Sequence, residues 1–575
     1  MTRALAMALV ITFASATVAA AAETAVPLTA SAEDLAWWRE ARFGLFIHWG
    51  PVSLKGTEIG WSRGRQVPVE EYDNLYKQFN PTKFDADAWV RTAKRAGMKY
   101  LVLTSKHHDG FCLWPSEVTD YDIAATPFKR DILAELSEAC KREAIVFSVY
   151  HSICDWHHPD YPMGSPGGKT AKPNPNMDRY VQYMHAQLRE IVTRYYGERG
   201  VLWFDGEWEK PWNAEYAHET VRLLRGLKPD LLINNRVGKG RHGMAGTTGK
   251  AAVPGDFDTP EQQVGRFQNQ RPWESCITIC RQWAWKPDDN MKSLAECVQT
   301  LVRCAGGDGN LLLNVGPMPD GRIEPRQVKR LEEIGDWLRA RGESIYGTRG
   351  GPFKPGPYGA STRKGNRIYL HVFQWQDGAA RLPAIGPKVT GASVLGGGKA
   401  EVTQIDEGLT IRVPEADRSD IDTVVVLDLD GSAMGVEPVA WVSGSVAAGK
   451  KATASNVYQK DAAHYGPAMA VDDDPGTRWA TDAGTRKVHL EVDLGKPTRI
   501  GRVTIDECTR YGGGRVRTFR LEAETNGAWR TVLEGGKIGR HFTRTFDPVT
   551  ARRVRLSILE ASDGPTIWEF QLFAP

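Results

Sequence analysis

The stretch that decides the fold is Val201-Leu-Trp-Phe-Asp-Gly-Glu-Trp208. A short apolar run closed by an acidic residue and a glycine is typical of a buried parallel strand that ends at Asp205. Similar runs recur through the first 345 residues, and amphipathic helical patterns separate them. The predicted strands are 43–48, 100–105, 145–151, 201–205, 231–235 and 311–315, and the predicted helices are 87–96, 131–141, 177–196, 215–227, 291–305 and 324–341.

This alternation predicts an α/β fold, and its length of roughly 300 residues favours a (β/α)8-type barrel. Polar side chains stand where the predicted strands end. They are His48, His107, His108, Tyr150, His151, Asp205 and Arg236. Because the carboxyl ends of barrel strands meet at one face, we expect these side chains to form one polar pocket.

Two further units follow the barrel. Glycine and proline cluster between residues 350 and 357, and only short β-like runs follow. We predict a barrel over 33–348, a small β-sandwich over 349–432 and a second β-sandwich over 438–575.

The N-terminus resembles a secretion signal. Arg3 precedes an apolar run over 4–18, and small residues follow at 19–22. We therefore expect a signal peptide over 1–22 and a secreted or periplasmic protein. The run is shorter than the ~20 residues of a spanning helix, and no later segment qualifies, so no membrane span is expected.

Composition excludes some partners. The chain has 73 Lys and Arg against 70 Asp and Glu, a net charge of +3, with no long basic run, so nucleic acid is not an expected partner. The 19 tryptophans suit packing against sugar rings, although composition alone favours the interpretation that they fill cores. The eight cysteines lack the spacing of a disulfide framework or a zinc site, and we expect buried free thiols.

Asp205 alone would be read as a helix cap or loop residue. The histidines at neighbouring strand ends instead favour a pocket that binds hydroxyls. A metal is the rival explanation for the histidines, but His107 and His108 are adjacent and no His-x-x-x-His or cysteine pair accompanies them. No cofactor is expected for catalysis, and the serine-hydrolase motif Gly-x-Ser-x-Gly is missing.

Glycoside hydrolysis needs two carboxyl groups, one facing the anomeric carbon and one protonating the departing oxygen. Glu261 and Glu274 are the candidates for the second group. Glu261 lies in a polar loop that could reach over a substrate, whereas Glu274 opens a strand-like run. The residues alone favour Glu261 and leave Glu274 open.

The chain resembles the α-L-fucosidases of glycoside hydrolase family 29. The resemblance spans about residues 33 to 350 and rests on several motifs in the family's order. The motifs are Arg42-Phe-Gly-Leu-Phe-Ile-His-Trp-Gly50, Lys106-His-His-Asp-Gly-Phe111, Leu202-Trp-Phe-Asp-Gly206, Trp273-Glu274, Asn310-Leu-Leu-Leu-Asn-Val-Gly-Pro317 and Gly342-Glu-Ser-Ile-Tyr346.

The resemblance implies an exo-acting, retaining enzyme with Asp205 as nucleophile and Glu261, which precedes the Trp273-Glu274 pair, as acid/base. The implied sugar-binding residues are His48, Glu58, Trp61, His107, His108, Tyr150, Trp203, Arg236 and Trp283. This chain departs from the family where Glu58 and Trp61 are not adjacent, and where Trp283-Ala-Trp285 replaces the commoner Trp-Gly-Tyr.

Several expectations follow from this assignment. Asp205 should be ionised beside a cation, and Glu261 should lie in an apolar, partly closed environment that raises its pKa. Retention requires the two carboxyl groups to be about 5–5.5 Å apart. The expected substrates are fucosylated oligosaccharides or glycoconjugates. The alternatives are a related sugar such as a galactoside, or a lectin-like fucose-binding protein without catalysis. The oligomeric state stays open.

The last unit resembles the discoidin-like, or factor 5/8 type C, fold that also serves as a carbohydrate-binding module. The resembling residues are Ala452-Thr-Ala-Ser455, Ala470-Val-Asp-Asp-Asp474, Thr477-Arg-Trp479, Glu491-Val-Asp-Leu-Gly495 and Ile567-Trp-Glu-Phe-Gln571. The resemblance implies a structural Ca²⁺ near Asp472, Thr477 and Glu569, although Asp473 stands where the family commonly has glycine. Tyr458, His464 and Tyr511 are candidate sugar contacts on loops.

Overall fold

The computed structural model describes residues 27–575, except residues 169, 377, 475 and 510–512. The predicted signal peptide over 1–22 and the candidate contact Tyr511 lie outside the described residues.

The first domain is built on a parallel sheet. Its seven strands are β1 (Phe43–Ile47), β2 (Tyr100–Lys106), β3 (Val146–Ser152), β4 (Val201–Asp205), β5 (Leu232–Ile233), β6 (Glu274–Thr278) and β7 (Asn310–Val315). They run in the order β5-β4-β3-β2-β1-β7-β6, and all the neighbouring pairs are parallel.

An eighth extended segment over 257–261 closes this sheet between β5 and β6. Phe257 forms a parallel bridge with Asn234 on one side, and Asp258 and Glu261 bridge to Trp273 and Cys276 on the other. The Asp258 N–H donates to Pro272 O at 2.9 Å and the Cys276 N–H to Pro260 O at 3.0 Å. The ring therefore has eight parallel members, and the predicted (β/α)8-type barrel is confirmed.

Helices pack around the outside of the barrel. They are α1 (Ala32–Ala41), α2 (Val69–Asp73), α3 (Ala86–Arg95), α4 (Ile132–Glu143), α5 (Met177–Arg194), α6 (Ala214–Leu227), α7 (Leu294–Gly306) and α8 (Pro325–Arg341). Side-chain caps start several of them, such as Asn213, which accepts from Tyr216 N, and Ser293, which forms a capping box with Glu296. Their apolar faces and the outward side chains of the strands form the largest core.

A second apolar cluster fills the barrel itself. It contains Phe46, Tyr100, Val102, Tyr150, Val201, Trp203, Leu232, Phe257, Cys276 and Leu312, which alternate with the outward residues along each strand. The barrel is therefore a packed core, and a site can form only at one of its ends.

The second domain is antiparallel and has two sheets. Its strands are β8 (Arg349–Gly350), β9 (Gly359–Lys364), β10 (Arg367–Val372), β11 (Ala379–Pro383), β12 (Val389–Val394), β13 (Glu401–Ile405), β14 (Gly408–Arg412) and β15 (Thr423–Leu429). One sheet has the order β12-β15-β10-β9-β8 and the other β11-β14-β13. Val439 bridges to Phe353 and Trp441 packs in this domain's core, so the domain extends past the predicted limit of 432.

The third domain is also antiparallel. After β16 (Lys451–Ala454) and the one-turn helix α9 (Ala462–Tyr465) come β17 (Trp479–Ala480), β18 (Val488–Glu507), β19 (Val516–Thr525), β20 (Ala528–Gly535), β21 (Phe542–Ala561) and β22 (Thr566–Phe573). The strand order is β17-β22-β18-β21-β19-β20, and β16 pairs with β18. This domain has its own apolar core, as the predicted discoidin-like β-sandwich requires.

All eight cysteines fall in the described part of the chain, and each is buried and unpaired, as expected. Among the described residues, no helix is long and apolar enough to cross a membrane.

Candidate active site

The polar side chains that follow the barrel strands meet at one end of the barrel. Asp205 is the last residue of β4, and the chain turns sharply at Gly206, where φ is +102°. A Cβ at Gly206 would lie 2.5 Å from Cys154 Sγ, so only glycine allows this close approach. The turn leaves the Asp205 carboxylate at the mouth of the barrel.

Two side chains hold the Asp205 carboxylate. Arg236, which follows β5, donates from Nη1 to Oδ1 at 2.7 Å. The Tyr150 hydroxyl on β3 donates to Oδ2 at 3.2 Å. Asp205 is also almost completely buried, so these two contacts fix its position.

The pKa of Asp205 is set by opposing effects. Burial pushes it upward, but the positive charge of Arg236, followed by His108 and Arg241, brings the pKa below the ordinary aspartate value. Asp205 is therefore ionised at neutral pH, as the sequence predicted.

His48 and His108 are neutral and border Asp205. Burial lowers the pKa of His48 to about 3 and that of His108 to about 4. His48 Nδ1 lies 2.6 Å from Asn314 Oδ1, and His108 Nδ1 lies 2.6 Å from Ser152 Oγ. Because Asn314 Oδ1 only accepts, and Ser152 gives its proton to Cys154 O, the hydrogen-bond network assigns each ring proton to Nδ1. Each Nε2 is then free to accept from a ligand hydroxyl.

His107 and Tyr150 complete the inner wall of the pocket. Their rings stack with an interplanar angle of 8° and centroids 5.3 Å apart. Tyr150 in turn stacks on Trp203 at 5.9 Å. The pocket thus combines acceptors for hydroxyls with aromatic faces, a combination suited to a sugar.

Glu58 and Trp283 lie together at the side of the pocket. The Glu58 carboxylate accepts from the backbone N–H of Trp283 and of Ala284, both at 3.0 Å. The Trp283 ring lies 4.8 Å from the His48 ring, and Trp61 meets the His108 ring edge-on at 5.8 Å. Glu58 therefore anchors the loop that carries Trp283, a role that the sequence did not suggest.

Glu261 lies opposite Asp205 on the same guanidinium. Arg236 Nη2 donates to Glu261 Oε2 at 2.9 Å while Nη1 binds Asp205. The two carboxylates are therefore separated by no more than one guanidinium group and two hydrogen bonds. The expectation of an apolar environment around Glu261 is wrong, because its neighbour is a charged arginine and its side chain is 19% exposed.

Glu274 lies inside the barrel, beneath this site. Its carboxylate accepts from Trp203 Nε1 at 3.2 Å and from the Tyr100 hydroxyl. Arg236 covers the other side of Trp203, with its guanidinium 4.5 Å from the ring centre. Trp203 thus separates Glu274 from the mouth, and burial raises the pKa of Glu274 to about 7.

The sequence missed several residues at the mouth. Asn314, at the end of β7, holds His48 and donates to Trp283 O at 2.8 Å. Thr259 accepts from Arg236 Nε at 2.9 Å. Asn314 lies in a predicted strand, so the rule that strand ends face the mouth could have found it, whereas Thr259 lies in a stretch that was read as a loop, and no sequence signal marked it. Trp208 also borders the pocket, and no role was predicted for it.

The predicted calcium ligands in the third domain lie close together. The Thr477 hydroxyl is 2.8 Å from Asp472 Oδ1. Both carboxylate oxygens of Glu569 are buried without a hydrogen-bond partner. Burial, and then the charges of the nearby aspartates, raise the pKa of Glu569 to about 9. Within the described ranges, no three His, Cys, Asp or Glu side chains are grouped as a ready-made metal site.

The backbone conformation at Asp473 explains why the family commonly has glycine at this position. Its φ is +57°, in the left-handed region that glycine adopts most readily and aspartate tolerates. Of the candidate sugar contacts, His464 is exposed and pairs with Asp461 at 2.8 Å, and Tyr458 is half-buried.

An eight-membered parallel barrel whose mouth holds two carboxylates around a hydroxyl-binding pocket defines a class, the glycoside hydrolases. The family model for alpha-L-fucosidase matches residues 12–343, and that for the F5/8 type C domain matches 451–570. The chain therefore belongs to the α-L-fucosidase family and is a glycoside hydrolase with a C-terminal discoidin-type module.

Curated relatives agree with this assignment. The tissue alpha-L-fucosidase of Homo sapiens is 30% identical over 420 residues, which cover 66% of this chain and 85% of the relative. That of Rattus norvegicus is 30% identical over 418 residues, covering 66% and 86%.

Solved structures agree as well. Alpha-L-fucosidase isoenzyme 1 from Paenibacillus thiaminolyticus is 35% identical with a TM-score of 0.63, covering 69% of this chain and 99% of that one. A trapped covalent intermediate of a Bacteroides thetaiotaomicron alpha-L-fucosidase, with 2-fluoro-fucosyl fluoride, is 29% identical with a TM-score of 0.63, covering 71% and 99%. An alpha-L-fucosidase from Vibrio sp. strain EJY3, at 22% identity and TM-score 0.68, covers 95% and 99% and shares the fold.

Proposed function

We propose that Asp205 is the nucleophile and Glu261 the acid/base of a retaining, exo-acting α-L-fucosidase. The observation that carries this proposal is the position of Arg236, which binds both carboxylates with the two nitrogens of one guanidinium. A shared guanidinium supports the proposal because it brings the two carboxylates to the same side chain, and a retaining mechanism needs its two carboxyl groups close together, about 5–5.5 Å apart.

In the first step, the ionised Asp205 attacks C1 of the fucose and the leaving oxygen takes a proton from Glu261. A covalent fucosyl–Asp205 ester forms. Tyr150 and Arg236, which bind the Asp205 oxygens, hold the carboxylate in line with C1. The neutral His48 and His108 accept from the sugar hydroxyls through their free Nε2 atoms.

In the second step, Glu261 takes a proton from water, and the resulting nucleophile opens the ester with a second inversion at C1.

Azide can assign the two carboxylates. Azide should restore turnover of an aryl fucoside by Glu261→Ala and give α-fucosyl azide, because it replaces water in the second step. With Asp205→Ala it should give β-fucosyl azide, because it replaces the nucleophile. Glu274→Gln is the matched control and should show no azide effect. Rescue of a Glu274 variant, with none for Glu261→Ala, would reverse the assignment.

The substrates we propose are fucosylated oligosaccharides and glycoconjugates that carry a terminal α-L-fucose. The support is the enclosed position of the site, because His48, His107, His108 and Asp205 are all buried at the mouth of the barrel. Release of 4-nitrophenol from the α-L-fucoside, but not from the β-D-galactoside, is the expected result.

We further propose a structural Ca²⁺ in the third domain, held by Asp472, Glu569 and the loop that ends at Thr477. The buried, unpartnered carboxylate of Glu569 is the supporting observation, since a hard cation would satisfy it. Ca²⁺ should raise the unfolding temperature of the wild type, and EDTA should reverse the effect. Glu569→Gln should respond to neither, and an equal response in both proteins would contradict the site.

We also propose that the leader over 1–22 directs export, so that the mature enzyme is secreted or periplasmic. Its charged start, apolar run and small residues support this. N-terminal sequencing of the exported protein should give a chain that starts near residue 23, and an intact leader on cytoplasmic protein would contradict it.

A further inference from the structure

The loop after β4 exposes an indole between two buried carboxylates. Trp208 is 40% exposed, whereas its near neighbours Glu207 and Glu209 are 3% and 5% exposed. All 19 tryptophans lie in the described part of the chain, and Trp208 is the one that is exposed. This reverses the usual preference, since acidic side chains are normally at the surface and large aromatic ones within.

The buried carboxylates fix the loop and hence the direction of Trp208. Glu207 Oε1 accepts from Arg241 Nε at 2.6 Å. Glu209 Oε1 accepts from Trp156 Nε1 at 3.1 Å, and its other oxygen accepts from the Tyr161 hydroxyl. A surface indole held by a buried ion pair and hydrogen bonds is preorganised, so a ligand that meets it loses little conformational entropy.

Only the ring of His108 lies between Trp208 and Asp205, the proposed nucleophile. It meets the His108 ring edge-on at 5.4 Å and 88°, and His108 Nε2 lies 3.6 Å from Asp205 Oδ2. Trp61 meets the same histidine at 88°, and the two indoles are within 16° of parallel with centroids 6.4 Å apart. Together Trp61 and Trp208 make an aromatic rim outside the enclosed pocket.

The same loop is tied to the acid/base side of the mouth. Arg241, which binds Glu207, also donates from Nη1 to Gly243 O at 2.5 Å. The next residue, Met244, is 45% exposed and accepts from the Glu261 N–H at 2.9 Å. The departing oxygen must lie beside Glu261, so the group attached to that oxygen leaves the pocket along this side.

We propose that Trp208 is a specificity-determining residue that packs against the leaving-group sugar. A pyranose ring offers a flat C–H face, which an exposed indole can cover, whereas a halide or small alkyl group offers none. This inference rests on the proposed function, since it uses Asp205 and Glu261 in their proposed roles. It adds a leaving-group class, a sugar residue joined to the fucose.

The test is a ratio of two kcat/KM values, measured on one preparation. The two substrates are α-L-fucosyl fluoride and whichever fucosyl disaccharide the wild type cleaves fastest. Trp208→Ala should lower the disaccharide-to-fluoride ratio by about tenfold, and Trp208→Phe should restore most of it. Because both substrates meet the same preparation, the fraction of folded enzyme cancels from the ratio.

The control is Ile405→Ala, which shortens an apolar side chain that is 57% exposed on the second domain. Its ratio should equal that of the wild type. An unchanged ratio in Trp208→Ala would overturn the proposal, whether both activities fell together or neither did. A wild type that cleaves the fluoride but no disaccharide would overturn it too. Failure of the wild type on both substrates would instead contradict the proposed function itself.

Discussion

Arg236 Nη1 donates to Asp205 Oδ1 at 2.7 Å, and both side chains are buried at the barrel mouth. Burial alone would favour a protonated, unreactive carboxyl group, but the guanidinium brings the pKa of Asp205 below its ordinary value. The same arginine orients the carboxylate, so one residue provides both the charge and the geometry that the proposed nucleophile needs.

Replacing Arg236 should therefore change the pH dependence of the reaction as well as its rate. Arg236→Ala should lower kcat/KM by roughly 100-fold or more, since it removes a preorganised charge from the site. Without the cation the pKa of Asp205 rises, so the acid limb of the pH–rate profile should move to higher pH. Arg236→Lys retains a positive charge, so its acid limb should move less than that of Arg236→Ala. A lower rate with an unmoved acid limb would contradict this account.

Buried neutral histidines should make the fold sensitive to acid. The folded pKa of His48 is about 3, against about 6.5 in the unfolded chain, so only the unfolded state takes a proton as the pH falls below 6.5. This contribution to stability is complete above pH 6.5 and is lost between pH 6.5 and 3. At pH 5 the loss amounts to about 2 kcal/mol.

Thermal unfolding between pH 7 and 5 measures this effect. His48→Gln should lose less stability over that interval than the wild type does. His464→Gln, which removes an exposed histidine, should behave as the wild type. If His48→Gln and the wild type lost equal stability, His48 would have the same pKa in the folded and unfolded states, which would contradict this prediction.

Glu274 should matter for stability rather than for turnover. Glu274→Ala leaves the buried Tyr100 hydroxyl and Trp203 Nε1 without their acceptor, at a cost of about 2–4 kcal/mol in unfolding free energy. Glu274→Gln keeps an acceptor and should cost less. Chemical denaturation and kcat on an aryl fucoside measure the two effects. A kcat loss for Glu274→Gln as large as that for Glu261→Gln would contradict the separation of roles.

Tyr72 should position the loop that carries Glu58 and Trp61. Its hydroxyl donates to Asp109 Oδ2 at 2.6 Å and accepts from the Gly60 N–H at 2.8 Å. Gly60, with φ of +66°, lies so close to His107 that a Cβ would be 2.9 Å from Nδ1. Tyr72→Phe should raise KM several-fold with a smaller change in kcat, because it loosens this loop without touching the nucleophile.

Initial-rate kinetics on an aryl fucoside separate the two parameters. Tyr76→Phe is a control, since Tyr76 packs on nearby aromatic rings without this hydrogen bond. A fall in kcat with an unchanged KM would instead place Tyr72 in the chemistry.

The strands and site residues that the sequence predicted were recognisable for one physical reason. Buried parallel strands are continuous apolar runs, so β1 to β5 and β7 are visible in the sequence, and the polar residue after each one marks the mouth. Asp205, His48 and Arg236 were found in this way. The segment over 257–261 was not, because it contains Asp258 and Pro260 and pairs through only a few bridges. Its polar composition is typical of a loop, although it completes the barrel.

The sequence by itself determined the three units, the barrel with its mouth at the strand ends, and the place of Asp205 at that mouth, because apolar periodicity and ordered motifs are local properties of the chain. Only the tertiary structure shows where the two glutamates lie. Glu261 and Glu274 are 13 positions apart, and nothing local distinguishes their directions. In the folded barrel, Glu261 shares Arg236 with Asp205, whereas Trp203 covers Glu274 inside the core. The position of each carboxylate relative to Trp203 depends on how strands that are distant in the sequence pair in the barrel.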